Sequence, residues 1–201
     1  MKTKLFLVIA ALLAGVTFSR ADITNTTLTA YSDGVMYCSF SDLTQIGAHE
    51  FLQSIYGDHL TFATGSIYGD ILTDTPTDPS LTLSHTIDND TGTTWTDYHI
   101  KVTMNQFFSL TNAVVDNGWI SNITAPTLVS GLWTGYVDYY SGTPIINGGT
   151  LNFGYTMNFI GSVSFSEELT PTSVSVPEPG AFALLACGLM GLFVFQRRFA
   201  A

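Results

Sequence analysis

Two stretches of the chain alternate apolar and polar residues with a period of two. Along YHIKVTMN the residues Tyr98, Ile100, Val102 and Met104 share one face, and along LNFGYTMNF the residues Leu151, Phe153, Tyr155, Met157 and Phe159 do the same. A two-residue period places side chains on opposite faces of a strand, so both stretches are read as half-buried strands. Helical periodicity is nearly absent before the C-terminal segment, with room for a turn or two only between Asp42 and Ser54. The breaks NDTG, DNG and NGG separate the runs and have the composition of hairpin turns. The pattern predicts an all-β fold, a β-sandwich of about eight to ten strands, jelly-roll or immunoglobulin-like, with a closed β-barrel as the alternative.

The pattern changes at both ends. Lys2 and Lys4 precede an apolar stretch of twelve residues from Leu5 to Val16, and Ser19 and Ala21 put small residues where a signal peptidase reads them. Residues 1–21 are therefore expected to be a signal peptide cut between Ala21 and Asp22, with signal peptidase as a partner. Residues 22–166 form the expected exported domain. Alternation then fades in EELTPTSVS, which contains Pro171, so residues 167–176 are expected as a Ser/Thr/Pro spacer. The sixteen residues 180–195 carry no charge, and as a helix they would reach about 24 Å, enough for a transmembrane helix whose flanks snorkel. Arg197 and Arg198 follow as a stop-transfer pair that keeps the extreme C-terminus on the cytoplasmic side of the inner membrane and the domain outward.

Charge sharpens this picture. All sixteen acidic residues lie between Asp22 and Glu178, a stretch whose one basic residue is Lys101. So negative a surface repels phosphate backbones and argues against nucleic acid as a partner. A hydrophobic content of 46% over 201 residues excludes a disordered chain. Cys38 and Cys187 fall in different environments, the second inside the apolar tail, so no disulfide framework is expected and Cys38 is read as a buried thiol.

Val176, Pro177, Glu178 and Pro179 stand directly before the apolar tail. Each proline drives its predecessor toward extended backbone, which makes VPEP a rigid strand-like segment suited to a protease cleft. This triplet, the apolar run and Arg197-Arg198 together resemble the PEP-CTERM sorting signal over about the last twenty-five residues. The resemblance implies recognition by an exosortase-type membrane protease of a Gram-negative bacterium. It further implies processing of the tail at Val176 to Pro179 and a destination at the cell surface or in the extracellular matrix. The same tail also carries the label of an ice-binding protein C-terminal domain, which describes the address rather than the cargo. No regular threonine array of the kind ice binding needs is visible, only short pieces such as Thr82 and Thr86.

Candidate chemistry in the domain is sparse. Asp88, Asp90 and Gly92 hint at a calcium loop, but the glycine comes fifth where an EF-hand needs it sixth. Trp95, Asp97, His99 and Lys101 are expected on one strand face, where Asp97 and His99 could ligate a metal or share a proton, yet spacing indicates no third ligand. No nucleophile elbow, phosphate loop or paired-cysteine motif is present, so neither an enzyme nor a cofactor nor a metal site is expected. Trp133, Tyr136, Tyr139 and Tyr140, with Asp138 among them, form an aromatic cluster of a kind that can stack on sugars, with exopolysaccharide the candidate ligand, although core packing explains the same residues and is the preferred reading. One internal repeat, SIYGD at Ser54 to Asp58 and again at Ser66 to Asp70, is read as two adjacent strands with like turns. The expected role is that of an exported, non-enzymatic surface or matrix protein, with a carbohydrate-binding module of the exopolysaccharide matrix as the alternative.

Overall fold

The computed structural model describes residues 22–75 and 78–173. The expected signal peptide with Ala21, the segment with Val176, Pro177, Glu178 and Pro179, the apolar run 180–195, and Arg197 and Arg198 all lie outside the described residues. Thirteen strands follow one another: β1 (Ile23–Thr26), β2 (Thr29–Ala30), β3 (Met36–Phe40), β4 (Thr44–Gly47), β5 (Glu50–His59), β6 (Gly65–Thr73), β7 (Ser80–Asn89), β8 (Trp95–Met104), β9 (Phe108–Val115), β10 (Ile120–Val129), β11 (Leu132–Ile145), β12 (Thr150–Phe159) and β13 (Val163–Thr172). The described residues contain no helix, and so none long and apolar enough to cross a membrane.

The strands form two sheets. Sheet A runs β1-β6-β13-β8-β11-β10, with β2 also on β6; sheet B runs β3-β5-β7-β12-β9, with β4 also on β5. Pairing is antiparallel throughout except between β5 and β7, which are parallel. From β6 onward the pairing is nested: β6 lies on β13, β7 on β12 and β8 on β11, the first and third pairs in sheet A and the second in sheet B. At the inner end of the nest β9 and β10 are joined by a tight turn in which the Trp119 N–H donates to the Asp116 carbonyl over 3.1 Å. The two sheets agree with the expected sandwich, and the closed barrel, the alternative, does not form. Among the described residues sheet A ends at β1 and β10 and sheet B at β3 and β9, and Trp95, Tyr98, Tyr139 and Tyr155 are buried side chains filling the layer between two faces.

The alternation read from the sequence sets the core. Tyr98, Ile100, Val102 and Met104 face inward from β8, and Leu151, Phe153, Tyr155, Met157 and Phe159 from β12. Four expectations need correction. Asp42 to Ser54 is strand, not helix: β4 and β5 make a hairpin whose turn holds His49 at φ 64°, because Phe51, Gln53 and Ile55 keep the two-residue period and bury alternately. Residues 167–172 are the second half of β13 rather than a spacer, with Glu167 and Leu169 in the interior. Pro171 is tolerated there because β13 has passed its last β6 pair, Leu169 with Gly65, and is paired only with β8. The breaks NDTG and NGG are not hairpins, since β7 and β8, and β11 and β12, lie in different sheets. Finally, the SIYGD copies fall on β5 and β6, consecutive strands in opposite sheets. Both copies nevertheless use their letters alike, with Ile55 and Ile67 buried and Tyr56 and Tyr68 exposed.

Candidate functional site

The four aromatics of β11 do not form one surface. Tyr136 is exposed and Tyr140 half-buried, whereas Tyr139 points inward and its hydroxyl donates to the Gly154 carbonyl at 2.9 Å. Trp133 is half-buried and meets Phe107 edge to face, with ring centres 4.9 Å apart. Trp95 likewise leaves the face expected for it: the register of β8 on β11 breaks between Tyr140 and Ile145, and Trp95 is buried beside His59 and Tyr98. Asp97, His99 and Lys101 remain outward, each with a separate partner. His99 Nδ1 lies 2.8 Å from Asp138, Lys101 donates to Glu168 at 3.0 Å, and Asp97 accepts from the Thr172 hydroxyl at 3.3 Å. No group of three or more His, Cys, Asp or Glu side chains among the described residues is arranged to hold a metal ion. Asp22, the residue after the expected signal cleavage, binds His49 Nδ1 at 2.8 Å, and its backbone N–H donates to Asp74.

The stretch with Asp88, Asp90 and Gly92 is organised by a residue the calcium reading passed over. Asn89 is buried, donates to the Thr93 and Ile145 carbonyls at 2.8 and 2.9 Å, and accepts from the Thr91 N–H and hydroxyl. Thr91 in turn accepts the Trp95 indole N–H, and Gly92 takes φ 75° to close the loop. The backbone of Asn89 exchanges hydrogen bonds with Gly148 and Gly149, so NDTG and NGG are two halves of one cap. Its chemistry is structural.

The interior holds ionisable groups that periodicity alone did not single out. His85 on β7 and Glu167 on β13 meet between the sheets at 3.2 Å with neither side chain exposed, and His85 stacks on Phe153 at 4.5 Å. Burial, and after it the Glu167 carboxylate, pushes the hydroxyls of Tyr98, Tyr139 and Tyr155 well above the ordinary tyrosine range. The half-buried Cys38 thiol is pushed from 9.0 up to about 12, by burial first and then by Glu167 and Asp58. It is thus held as an unreactive thiol at neutral pH. His59 goes the other way: burial lowers it below 6.5 against the opposing pull of the Ala63 carbonyl and Asp33.

An open groove of about 370 Å³ lies on the outer face of sheet B, across β3, β5 and β7. Two cross-strand rows build it. Tyr37, Asp58 and Asp88 are neighbours in one, and Ser39, Tyr56 and Thr86 in the next. Tyr37 is 66% exposed and Tyr56 53%, so both rings stand open to solvent on this face. Beneath them Gly57 sits opposite Cys38; a Cβ there would stand 2.6 Å from the Tyr37 carbonyl, so glycine permits the close approach of β3. Aromatic faces, carboxylates and hydroxyls on one shallow surface can stack on and hydrogen-bond a polyhydroxylated ligand. Only the parallel β5–β7 pair brings Asp58 beside Asp88, and no local spacing in the sequence signals that juxtaposition.

Residues 175–198 match the PEP-CTERM protein-sorting motif. No curated protein and no solved structure matches the chain.

Proposed function

We propose that the chain is an exported, non-enzymatic protein of the bacterial cell surface or extracellular matrix, delivered through its C-terminal signal. One observation carries this reading: the sorting motif at 175–198 begins three residues after β13 ends at Thr172. The domain thus reaches almost to the signal, and Thr172 can stand no more than about 30 Å along the chain from residue 180. Exosortase recognition of the Pro-Glu-Pro segment, a membrane-anchored intermediate with the domain outward, and release to the surface follow as one route. Of the two sandwich types the sequence allows, the nested pairing of β6 to β13 supports the jelly roll, a long antiparallel hairpin wrapped alternately into two sheets. The groove on sheet B favours a second reading of the cargo, a carbohydrate-binding module of the exopolysaccharide matrix.

The test is fractionation in a host that has the sorting protease, with mass spectrometry of the mature C-terminus. Wild-type protein is expected outside the inner membrane with a terminus near Glu178. Pro177→Ala/Pro179→Ala frees the backbone to extend the helix and is expected to leave full-length protein in the membrane. An intact tail on released wild-type protein, or normal processing of the double variant, would refute the route.

A further inference from the structure

We propose that the groove on sheet B binds a polysaccharide carrying free amino groups. The proposal rests on the reading of the chain as a surface or matrix protein and assigns that protein its ligand and site. Two exposed phenol rings, Tyr37 and Tyr56, lie one strand apart on the same face, diagonal across the β3–β5 pair. Rings in that position offer stacking faces to successive pyranose units, whose axial C–H groups are apolar, while hydroxyls at the groove edge serve the sugar oxygens. Ser39 and Thr86 supply those hydroxyls as acceptors for sugar O–H groups, their own protons going to the Tyr56 carbonyl and to Asn152, and the rows continue to Thr150 and Asn152 on β12.

Charge selects among glycans. Asp58 and Asp88 are direct neighbours on parallel strands, and like charges so placed destabilise a sheet unless something relieves them. The Thr150 hydroxyl donates to Asp88, but no Lys or Arg among the described residues reaches this face. Lys101 is the one Lys or Arg among the described residues, and it is engaged by Glu168 on sheet A. An anionic polymer would add to the repulsion, and a neutral one would leave it in place. An ammonium group relieves it, donating hydrogen bonds to the two carboxylates on one side and resting on a tyrosine face on the other.

Binding of the purified full-length chain in detergent to glucosamine hexamer, to its fully N-acetylated counterpart and to a neutral glucan hexamer, followed by calorimetry, tests the assignment. The free-amine hexamer is expected to bind in a salt-sensitive manner, and the other two to bind at least about tenfold more weakly. Tyr56→Ala and Asp58→Asn/Asp88→Asn should each weaken the interaction by about tenfold or more, while Tyr56→Phe, which keeps the ring, retains it. The pair Asp42→Asn/Glu50→Gln removes the same charge from exposed positions elsewhere, and less than about a twofold change is expected from it. Equal affinity for the acetylated hexamer, no binding of any probe, or equal loss in the Asp42/Glu50 pair each overturns the proposal. Sorting is read separately by fractionation. A correctly released protein that ignores the hexamer rejects only the groove, and a chain that binds it yet stays unprocessed in the membrane rejects only the route.

Discussion

Glu167 shows how much one side chain can control in this core. It projects from the middle of sheet A into an apolar layer, where its partner His85 arrives from sheet B, and neither is exposed. A buried carboxylate is costly unless paired, so removing one member should hurt far more than removing both. His85→Ala, which leaves the Glu167 carboxylate without its partner, is expected to lose about 3–5 kcal/mol of unfolding free energy in urea titration, whereas His85→Leu/Glu167→Met should recover most of it. Strict additivity of the two single effects in that cycle would show that the residues do not act as a pair. The residue scale also explains the failed aromatic cluster. Tyr136 and Tyr139 are three apart and Tyr139 and Tyr140 adjacent, so a strand must split them between faces. The two-residue period that identified β8 and β12 applied equally to β11.

Among the elements, the SIYGD repeat is the clearest case of one sequence solving one problem twice. Gly57 on β5 and Gly69 on β6 both lie where a neighbouring backbone comes too close for a Cβ, the Tyr37 carbonyl in one sheet and the Thr27 carbonyl in the other. Each sheet thereby packs a short N-terminal strand against its repeat strand, β3 on β5 and β2 on β6. Because the obstacle is backbone rather than a movable side-chain end, Gly57→Ala and Gly69→Ala should each destabilise by about 1–3 kcal/mol. Ser54→Ala and Ser66→Ala, in the same copies, should stay within about 0.5 kcal/mol. Thermal unfolding of the four variants checks this. Glycine variants as stable as the serine ones would mean that the edge strands contribute nothing.

For the whole molecule, the buried ionisable groups set a pH window. His59 is neutral in the fold with its pKa below 6.5. As pH falls through that range the unfolded chain takes up a proton the folded one refuses, and stability drops. Cys38 and the buried tyrosines are shifted upward. The unfolded thiol starts to ionise near 9.0 while the folded one holds its proton to about 12, so stability also falls as pH rises above 9. Urea midpoints should therefore plateau between about pH 6.5 and 9 and decline on both sides. Cys38→Ala should flatten the limb between pH 9 and 10, before the buried tyrosines begin to contribute, and an unchanged slope there in that variant would contradict the assignment.

Alternation by itself determined that β8 and β12 are strands and which of their side chains face the core, because burial on one face of a strand imposes a two-residue period. Local chemistry likewise determined the sorting tail, whose proline triplet, apolar length and arginines act within one short segment. Strand partners were another matter. NDTG and NGG mark ends of strands correctly but carry nothing about whether the next strand pairs with the last or crosses to the other sheet, and here it crosses. Glu167 to Thr172 looked like a spacer because polar residues and Pro171 interrupt it, yet β6 and β8 flank it and bury it. The groove is the extreme case: Tyr37, Tyr56, Asp58 and Asp88 come from three strands and meet only through the antiparallel β3–β5 pair and the parallel β5–β7 pair. That pairing is chosen by how two complete sheets fill the space between them, a property of the packed whole that no local run of residues encodes.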